Sequence, residues 1–454
     1  MKIQSTNPAT EQVNKEFEIY SKEQVNGICR NSQKAFVEWR ALDLSSRKEY
    51  LLKLSSVLKE KSKEYGKIIT VEMGKPLKQS VSEVEKCAWA AEVYAQNAEK
   101  WLEDEPVDTG LKKSFIAHEP LGVILSVMPW NFPFWQAMRF AIPALTVGNC
   151  SVLRHSNTVP MSALAIEESF GLAGFPENVF RTIITDHDEV KRLIRSPLID
   201  GVSLTGSVDA GRNIGGLAGK NIKKFVLELG GSDPFIVLDD ADIELSCKGA
   251  TDGRLVNSGQ SCICSKRFIV VKKVADQFTR GFTKLMESQR VGDPMDMNTD
   301  VGPLANRQQL EKLESQVRAS VEEGATIATG GKRVEGRGFF YKPTVMTNVK
   351  SNMTVAKEEV FGPVAPIIVV RNEKEALRVA NNSKFGLGGS VWTRDIERGE
   401  RFAREIEAGI IYVNSIVKSD PRVPFGGVKQ SGIGRELSRY GLLEFTNTKS
   451  ILIS

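Results

Sequence analysis

Histidine is scarce in this chain. Only His118, His155 and His187 occur among 454 residues, and none stands with Cys, Asp or Glu at metal-ligand spacing, so no catalytic zinc or other metal is expected. Cysteine is little commoner: the six, at positions 29, 87, 150, 247, 262 and 264, form no regular framework. A chain able to build large cores has little need of disulfides, and the expected compartment is a reducing cytoplasm. No apolar run approaches the roughly 20 residues of a membrane span, because the longest, from Leu121 to Trp130, is broken by Gly122 and Ser126. The amino terminus, Met1-Lys2-Ile3-Gln4-Ser5-Thr6-Asn7-Pro8, has no apolar core after its single lysine and does not read as a secretion signal. Nor is there a block of one charge. The 61 basic and 56 acidic residues leave a net +5, spread along the chain, so electrostatics predict neither a nucleic-acid nor an anionic-membrane partner. A phosphate-binding Walker loop is also missing, since Gly219-Lys220 is followed by Asn221 and Ile214 stands where the first glycine belongs. An ATPase thereby loses its main support.

What is present is a chain of two- or three-domain length with 41% hydrophobic residues. From Lys22 to Trp101 apolar residues recur at helical intervals (Tyr50, Leu51, Leu54, Val57, Leu58), which predicts consecutive amphipathic helices interrupted at Gly74-Lys75-Pro76. The acidic stretch Leu102 to His118 follows, with a β-favouring segment at Ser114 to Ala117. Between Leu121 and Leu238 short apolar runs alternate with helical ones: Val123–Val127, Cys150–Leu153, Val179–Ile184, Gly201–Leu204 and Phe225–Leu227. Strands separated by helices argue for a parallel α/β sheet. A second alternation, with Phe268–Val271, Ala325–Ile327 and Ala365–Val370 as strands and Leu310–Glu323 as a helix, suggests a second α/β domain. There is no internal repeat.

Four segments carry chemistry. In Asn257-Ser258-Gly259-Gln260-Ser261-Cys262-Ile263-Cys264, a glycine and polar residues place Cys262 on a loop, which suits a reactive thiol. A lone cysteine is more often a small packed hydrophobe, and low pKa with exposure distinguishes the two. In Val226-Leu227-Glu228-Leu229-Gly230-Gly231, one carboxylate interrupts an apolar strand just before a glycine turn. Glu228 either emerges at the strand end or, partly desolvated, acts as a general base. In Pro129-Trp130-Asn131-Phe132-Pro133-Phe134-Trp135, Pro133 suits the first turn of a helix. Asn131, Trp135 and Arg139 then fall at i, i+4 and i+8, on one face. Asn131 is an oxyanion donor or, with equal weight, an N-cap. In Gly201-Val202-Ser203-Leu204-Thr205-Gly206-Ser207, with Gly211 beyond, a strand-to-helix turn offers backbone N–H groups to a pyrophosphate, although it is not the common Gly-x-Gly-x-x-Gly pattern.

Together with Glu-Glu-Val-Phe-Gly-Pro at 358–363 and Pro-Phe-Gly-Gly at 424–427, these segments strongly resemble the aldehyde dehydrogenase superfamily, over nearly the whole chain. The resemblance implies an α/β fold with a Rossmann-like cofactor domain (1–101 and 119–230), an α/β catalytic domain (231–430) and a small β oligomerisation flap (102–118 and 431–454). The flap implies a homodimer or homotetramer. By the same resemblance Cys262 attacks an aldehyde, Asn131 and the Cys262 backbone N–H hold the oxyanion, and Glu228 activates water against the thioester. Trp130, Gly206, Ser207, Leu229, Glu359 and Phe361 match cofactor-binding positions.

The family's commoner Lys-Pro-x-Glu segment, which binds the adenosine ribose, here reads Arg154-His155-Ser156-Asn157. Loss of the Glu removes a charge that repels a 2′-phosphate, and Arg154 can pair with phosphate, with Ser156 and Asn157 beside it. NADP is therefore expected, with NAD as the alternative. Lys418-Ser419-Asp420-Pro421-Arg422-Val423-Pro424-Phe425 together with Arg139 resembles the shorter bacterial succinate-semialdehyde dehydrogenases. That resemblance implies Arg139 and Ser419 on the distal carboxylate, Trp135 and Phe425 beside the substrate, and oxidation of succinate semialdehyde to succinate. The bland role for Arg139 is a helix-surface salt bridge. Many such enzymes carry a second arginine where this chain has Asn257. A general aliphatic or aromatic aldehyde dehydrogenase is the alternative function, and a catalytically silent binding relative a remoter one, with no reason to retain Cys262, Glu228 and Asn131 together. Cys264, two residues past the nucleophile, reads as a packed residue or as a redox partner for Cys262.

Overall fold

The computed structural model describes residues 2–454. After a hairpin of Lys2–Thr6 and Val13–Glu18, four helices follow: Lys22–Ala41, Leu44–Glu60, Ser62–Met73 and Leu77–Leu102. The periodicity foretold the helices but only one of the three breaks. The first break lies at Leu42 and Asp43, because the Asp43 carboxylate accepts from the Ser46 N–H at 2.7 Å and starts a new helix. Lys61 makes the second. At the third, Gly74 ends its helix at φ 79°, a left-handed conformation that suits glycine.

A six-stranded sheet runs in the order Gly432–Ile433, Lys224–Glu228, Gly201–Thr205, Val123–Met128, Cys150–His155, Phe180–Thr182. All its pairings are parallel except the first. A seven-stranded sheet runs Thr326–Thr329, Thr344–Thr347, Val364–Val370, Ser265–Val271, Asp233–Val237, Gly388–Trp392, Ile410–Val413, again parallel apart from its first pair. In this second sheet Phe235, Val237, Phe268, Val270 and Ile367 belong to one apolar core, and Ile236, Leu238, Ile269, Val271 and Ile368 to another. The alternation of period two feeds both faces, as required of a sheet covered by helices on both sides.

Lys113–Pro120 pairs antiparallel with Thr446–Ile453 and with the short Glu105–Pro106, forming a third sheet. Its pairings leave a boundary different from the one expected for the flap. Residues 432 and 433 extend the six-stranded sheet, and the helix Ser438–Leu443 packs on the helix Pro133–Val147, so within 431–454 only the terminal strand joins Lys113–Pro120. The strand expected at Ala325–Ile327 is shifted to Thr326–Thr329, and the one expected at Val179–Ile184 is shortened to Phe180–Thr182.

Candidate active site

Cys262 lies in the link between the helix Ile243–Leu255 and the strand Ser265–Val271. Three consecutive residues of this link are left-handed: Asn257 (φ 52°), Ser258 (φ 55°) and Gly259 (φ 79°). The first two each cost about 1–3 kcal/mol and persist only if their surroundings hold them. The holding is polar and buried. Arg254 donates to the carbonyls of Gly259, Val360, Gly362 and Ser265. A side chain at 259 would strike the Gly362 carbonyl. Asn257 donates its side-chain amide to the Asn131 carbonyl at 2.7 Å and its backbone N–H to the Gln79 side-chain oxygen at 2.8 Å. Where some relatives are expected to place a second arginine, Asn257 is thus a fully buried strut.

Lys266, which sequence reasoning missed, organises the other side of the loop. It is fully buried, donates to the carbonyls of Ser261 (2.7 Å) and Cys262 (2.6 Å), and stands 3.8 Å from Glu359. With both flanking carbonyls turned to Lys266, the Cys262 backbone N–H is left without a protein acceptor among the described residues. Cys262 is partly exposed, yet its surroundings push the thiol up to about 12, through burial first and against the pull of Arg139 and Lys266. Cys264 is buried, with its thiol bonded to the Val256 carbonyl, and burial raises its pKa too.

Asn131 precedes the helix Pro133–Val147 and is not its cap; the N-cap position is Phe132, without a side-chain bond. The Asn131 amide donates to Gln260 at 3.0 Å and its oxygen accepts from Gln136 at 3.0 Å. One amide hydrogen pins the loop of Cys262 and the second is left for a ligand. The anion for this helix start comes from elsewhere: buried Glu83 accepts from the N–H groups of Phe134 and Trp135 at 2.9 and 3.0 Å and pairs with buried Lys75.

Glu228 closes its strand at 2% exposure, and neither carboxylate oxygen meets a donor among the described residues. Burial and then the Glu436 carboxylate raise its pKa well above the usual range, against Arg139 and Arg435. It does not line the cavity in front of Cys262. Arg139 does, but its Nε is paired with Glu436 and its Nη2 donates to Thr205 at 3.2 Å, with the guanidinium over the Phe425 ring. The surface salt bridge weighed for Arg139 is therefore a buried one.

The cavity measures about 720 Å³, and Cys262, Trp135, Arg139, Ser419 and Phe425 share its wall. A further residue joins them. Lys86 donates to the Ser419 hydroxyl at 2.8 Å and lies 4.3 Å over the Trp135 ring. Its signal in the sequence is the helical spacing of Gln79, Ser82, Glu83 and Lys86 on one face of Leu77–Leu102, all of which line the cavity.

On the other side of the loop, Trp130 and Phe361 meet edge to face at 6.3 Å, and Lys266 lies over Phe361. Glu359 accepts from the Gly231 N–H at 2.8 Å, and a side chain at Gly230 would strike it. Gly206 opens the 13-residue helix Val208–Lys220, capped by Ser207, with nothing nearer than 3.6 Å to a side chain added there. Gly211 lies against Leu229. That free helix start, with its unobstructed backbone, fits a pyrophosphate. At the end of Cys150–His155, Ser156 and Asn157 are accessible. Arg154 is buried, and its Nε and Nη2 are bonded to the Thr185 carbonyl. Its side-on edge is therefore not open to a phosphate, and the bidentate role expected of it is confined to its remaining N–H groups. His155 is held neutral, its pKa near 4 by burial, with Nε2 donating to Pro133 and Nδ1 accepting from Ser156.

The sequence profile of the aldehyde dehydrogenase family matches residues 1–451. A probable succinate-semialdehyde dehydrogenase, NADP(+), of Synechocystis sp. is 45% identical over 454 residues, covering all of both chains. Succinate-semialdehyde dehydrogenase, NADP(+), 1 of Mycobacterium bovis is 42% identical, again over the whole of both. Among solved structures, succinic semialdehyde dehydrogenase from Streptococcus pyogenes in complex with NADP+ superposes with a TM-score of 0.97 at 37% identity, covering 99% of each chain.

Proposed function

The chain belongs to the aldehyde dehydrogenase family, and we propose that it oxidises succinate semialdehyde to succinate with NADP in the cytoplasm. The observation that carries the substrate is the cavity wall itself, where the nucleophile Cys262 shares one chamber with Arg139, Lys86 and Ser419, donors suited to a carboxylate at the far end of a short aldehyde. The relatives named above support the same substrate and cofactor.

In this reading the Cys262 sulfur, once deprotonated, adds to the aldehyde carbon. The oxygen becomes an anion held by the Cys262 N–H and the second amide hydrogen of Asn131. NADP, when bound, supplies the hydride acceptor. The start of Val208–Lys220, with Gly206 and Ser207, would hold its pyrophosphate, Glu359 its nicotinamide ribose, and Trp130, Leu229 and Phe361 its apolar surroundings. Ser156 and Asn157 leave room for the 2′-phosphate. Glu228, having released its own proton to solvent, rotates from beside the Arg139–Glu436 pair toward Cys262 and takes a proton from water. The resulting hydroxyl adds to the acyl carbon and the Cys262 thiolate leaves.

The two large sheets are the cofactor and catalytic domains in this reading. The strand Thr446–Ile453, with Leu452 55% exposed and its outer edge unpaired, extends the sheet of another copy in a homodimer or homotetramer.

The test is a steady-state comparison of succinate semialdehyde with butanal, each with NADP and NAD. The expected result is a higher kcat/KM for the acid aldehyde and for NADP. Equal values for the two aldehydes would overturn the substrate, and NAD preferred by more than about tenfold, near 1.4 kcal/mol, the cofactor.

A further inference from the structure

Four cations line the cavity in front of Cys262; Lys78 and Lys418 are exposed, and the other two, Arg139 and Lys86, reach it from different helices and differ in what already satisfies them. Arg139, on Pro133–Val147, is buried at 2% exposure and paired with Glu436. Lys86, on Leu77–Leu102, has no carboxylate within 4 Å among the described residues. The acids nearest to it are engaged: Glu83 with Lys75 and the start of the next helix, Asp420 with Arg422 at 2.6 Å. What holds Lys86 is neutral, the Ser419 hydroxyl on one side and the Trp135 ring on the other. The indole N–H of Trp135, itself 4% exposed, finds no acceptor among the described residues. The wall therefore offers an ammonium and a hydroxyl with no anion to receive them, a donor set matched to a carboxylate.

We propose that Lys86, with Ser419, is the principal anchor of the substrate's distal carboxylate, and that Arg139 is chiefly a positioning residue whose charge is held by Glu436. This rests on the succinate-semialdehyde reading above and assigns the selectivity within it to a residue of a different helix. An ammonium whose partners are neutral gains a new ion pair on binding, whereas Arg139 must share its charge with an existing one. Lysine at this place also makes the selectivity depend on pH. The groups facing it are Glu83 and Cys87 on its own helix, Arg139 on the neighbouring helix and Asp420 on the loop that carries Ser419. Burial dominates over them and brings Lys86 down to about 8. The anchor is charged below that pH and lost above it.

The experiment measures kcat/KM for succinate semialdehyde and for butanal in the wild type, Lys86→Met, Lys86→Arg and Arg139→Met, at pH 7 and pH 9. The ratio of the two substrates is the readout, so a loss of folded enzyme cancels. We expect Lys86→Met to lower the ratio by about 10- to 150-fold, the value of a charged hydrogen bond, and Lys86→Arg to keep most of it. The wild-type ratio should fall between pH 7 and pH 9 while that of Lys86→Arg stays level. A Lys86→Met ratio equal to that of the wild type, or a larger drop in Arg139→Met than in Lys86→Met, would overturn the assignment. A wild type with no preference for succinate semialdehyde would instead sink the substrate reading, so the two failures are distinguishable.

Discussion

The guanidinium of Arg139 and the carboxylate of Glu436 are paired inside the protein, at 2% and 4% exposure, beside the uncompensated carboxyl of Glu228. A buried pair of this kind is weak as a source of stability, but removing one member leaves the other charge stranded. Glu436→Gln is expected to lower stability by about 3–5 kcal/mol, and Glu436→Leu with Arg139→Met to recover most of that. Urea unfolding of the single and double variants checks it; additive losses would show that the pair is not coupled.

Reactivity of Cys262 follows from its raised pKa. A thiol pushed up to about 12 is protonated at neutral pH, and the reactive thiolate is the deprotonated form, so reactivity grows with pH. Alkylation of Cys262 by iodoacetamide in the cofactor-free enzyme should quicken by about tenfold per unit between pH 7 and 9. A plateau near pH 7 would mean that Lys266 and Arg139 outweigh burial.

Glu228→Gln should separate the two halves of the reaction. One equivalent of NADPH forms per Cys262 and turnover then slows by about 100-fold or more, with the acyl group visible on Cys262 in the intact mass. Steady turnover at the wild-type rate would remove Glu228 from the hydrolytic step.

Asn157 is exposed at the end of the strand Cys150–His155. Asn157→Glu restores the anion that the commoner motif carries, and should raise KM for NADP by about tenfold or more while affecting NAD less. Matched changes for both cofactors would place this residue outside the 2′-phosphate site.

Oxidation tests Cys264. Its thiol is tied to Val256 and must turn outward to reach Cys262. Enzyme inactivated by peroxide should regain activity with dithiothreitol, and Cys264→Ala should not; identical recovery of both excludes the pair.

The sheets were legible in the sequence because buried parallel strands read as short apolar runs, and Pro133 announced the helix that carries Trp135 and Arg139. The segment that carries Cys262 was legible as a loop, from its glycine and polar residues. Its conformation was not, because the struts come from far away: Arg254 reaches Val360 and Gly362, and Gln79 reaches Asn257 across 178 positions. The role weighed for Asn131 as an N-cap failed because Glu83, 51 residues before Phe134, supplies the helix with its anion. The salt bridge weighed for Arg139 was placed on the helix surface because its buried partner, Glu436, lies in a segment expected to belong to the flap. Charge pairing across such distances leaves no local pattern.

The short strand Gly432–Ile433 sits beside Leu227 and Glu228, and Ser431 bonds Gly230 across 201 positions of chain. During translation the edge of the six-stranded sheet that bears Glu228 therefore waits, uncovered, until residues 432 and 433 have emerged. The loop of Cys262 is available much earlier, from residues that follow one another closely. Nascent chains stalled between these two moments carry a nucleophile next to a bare strand edge, which is a surface for pairing with other unfinished copies.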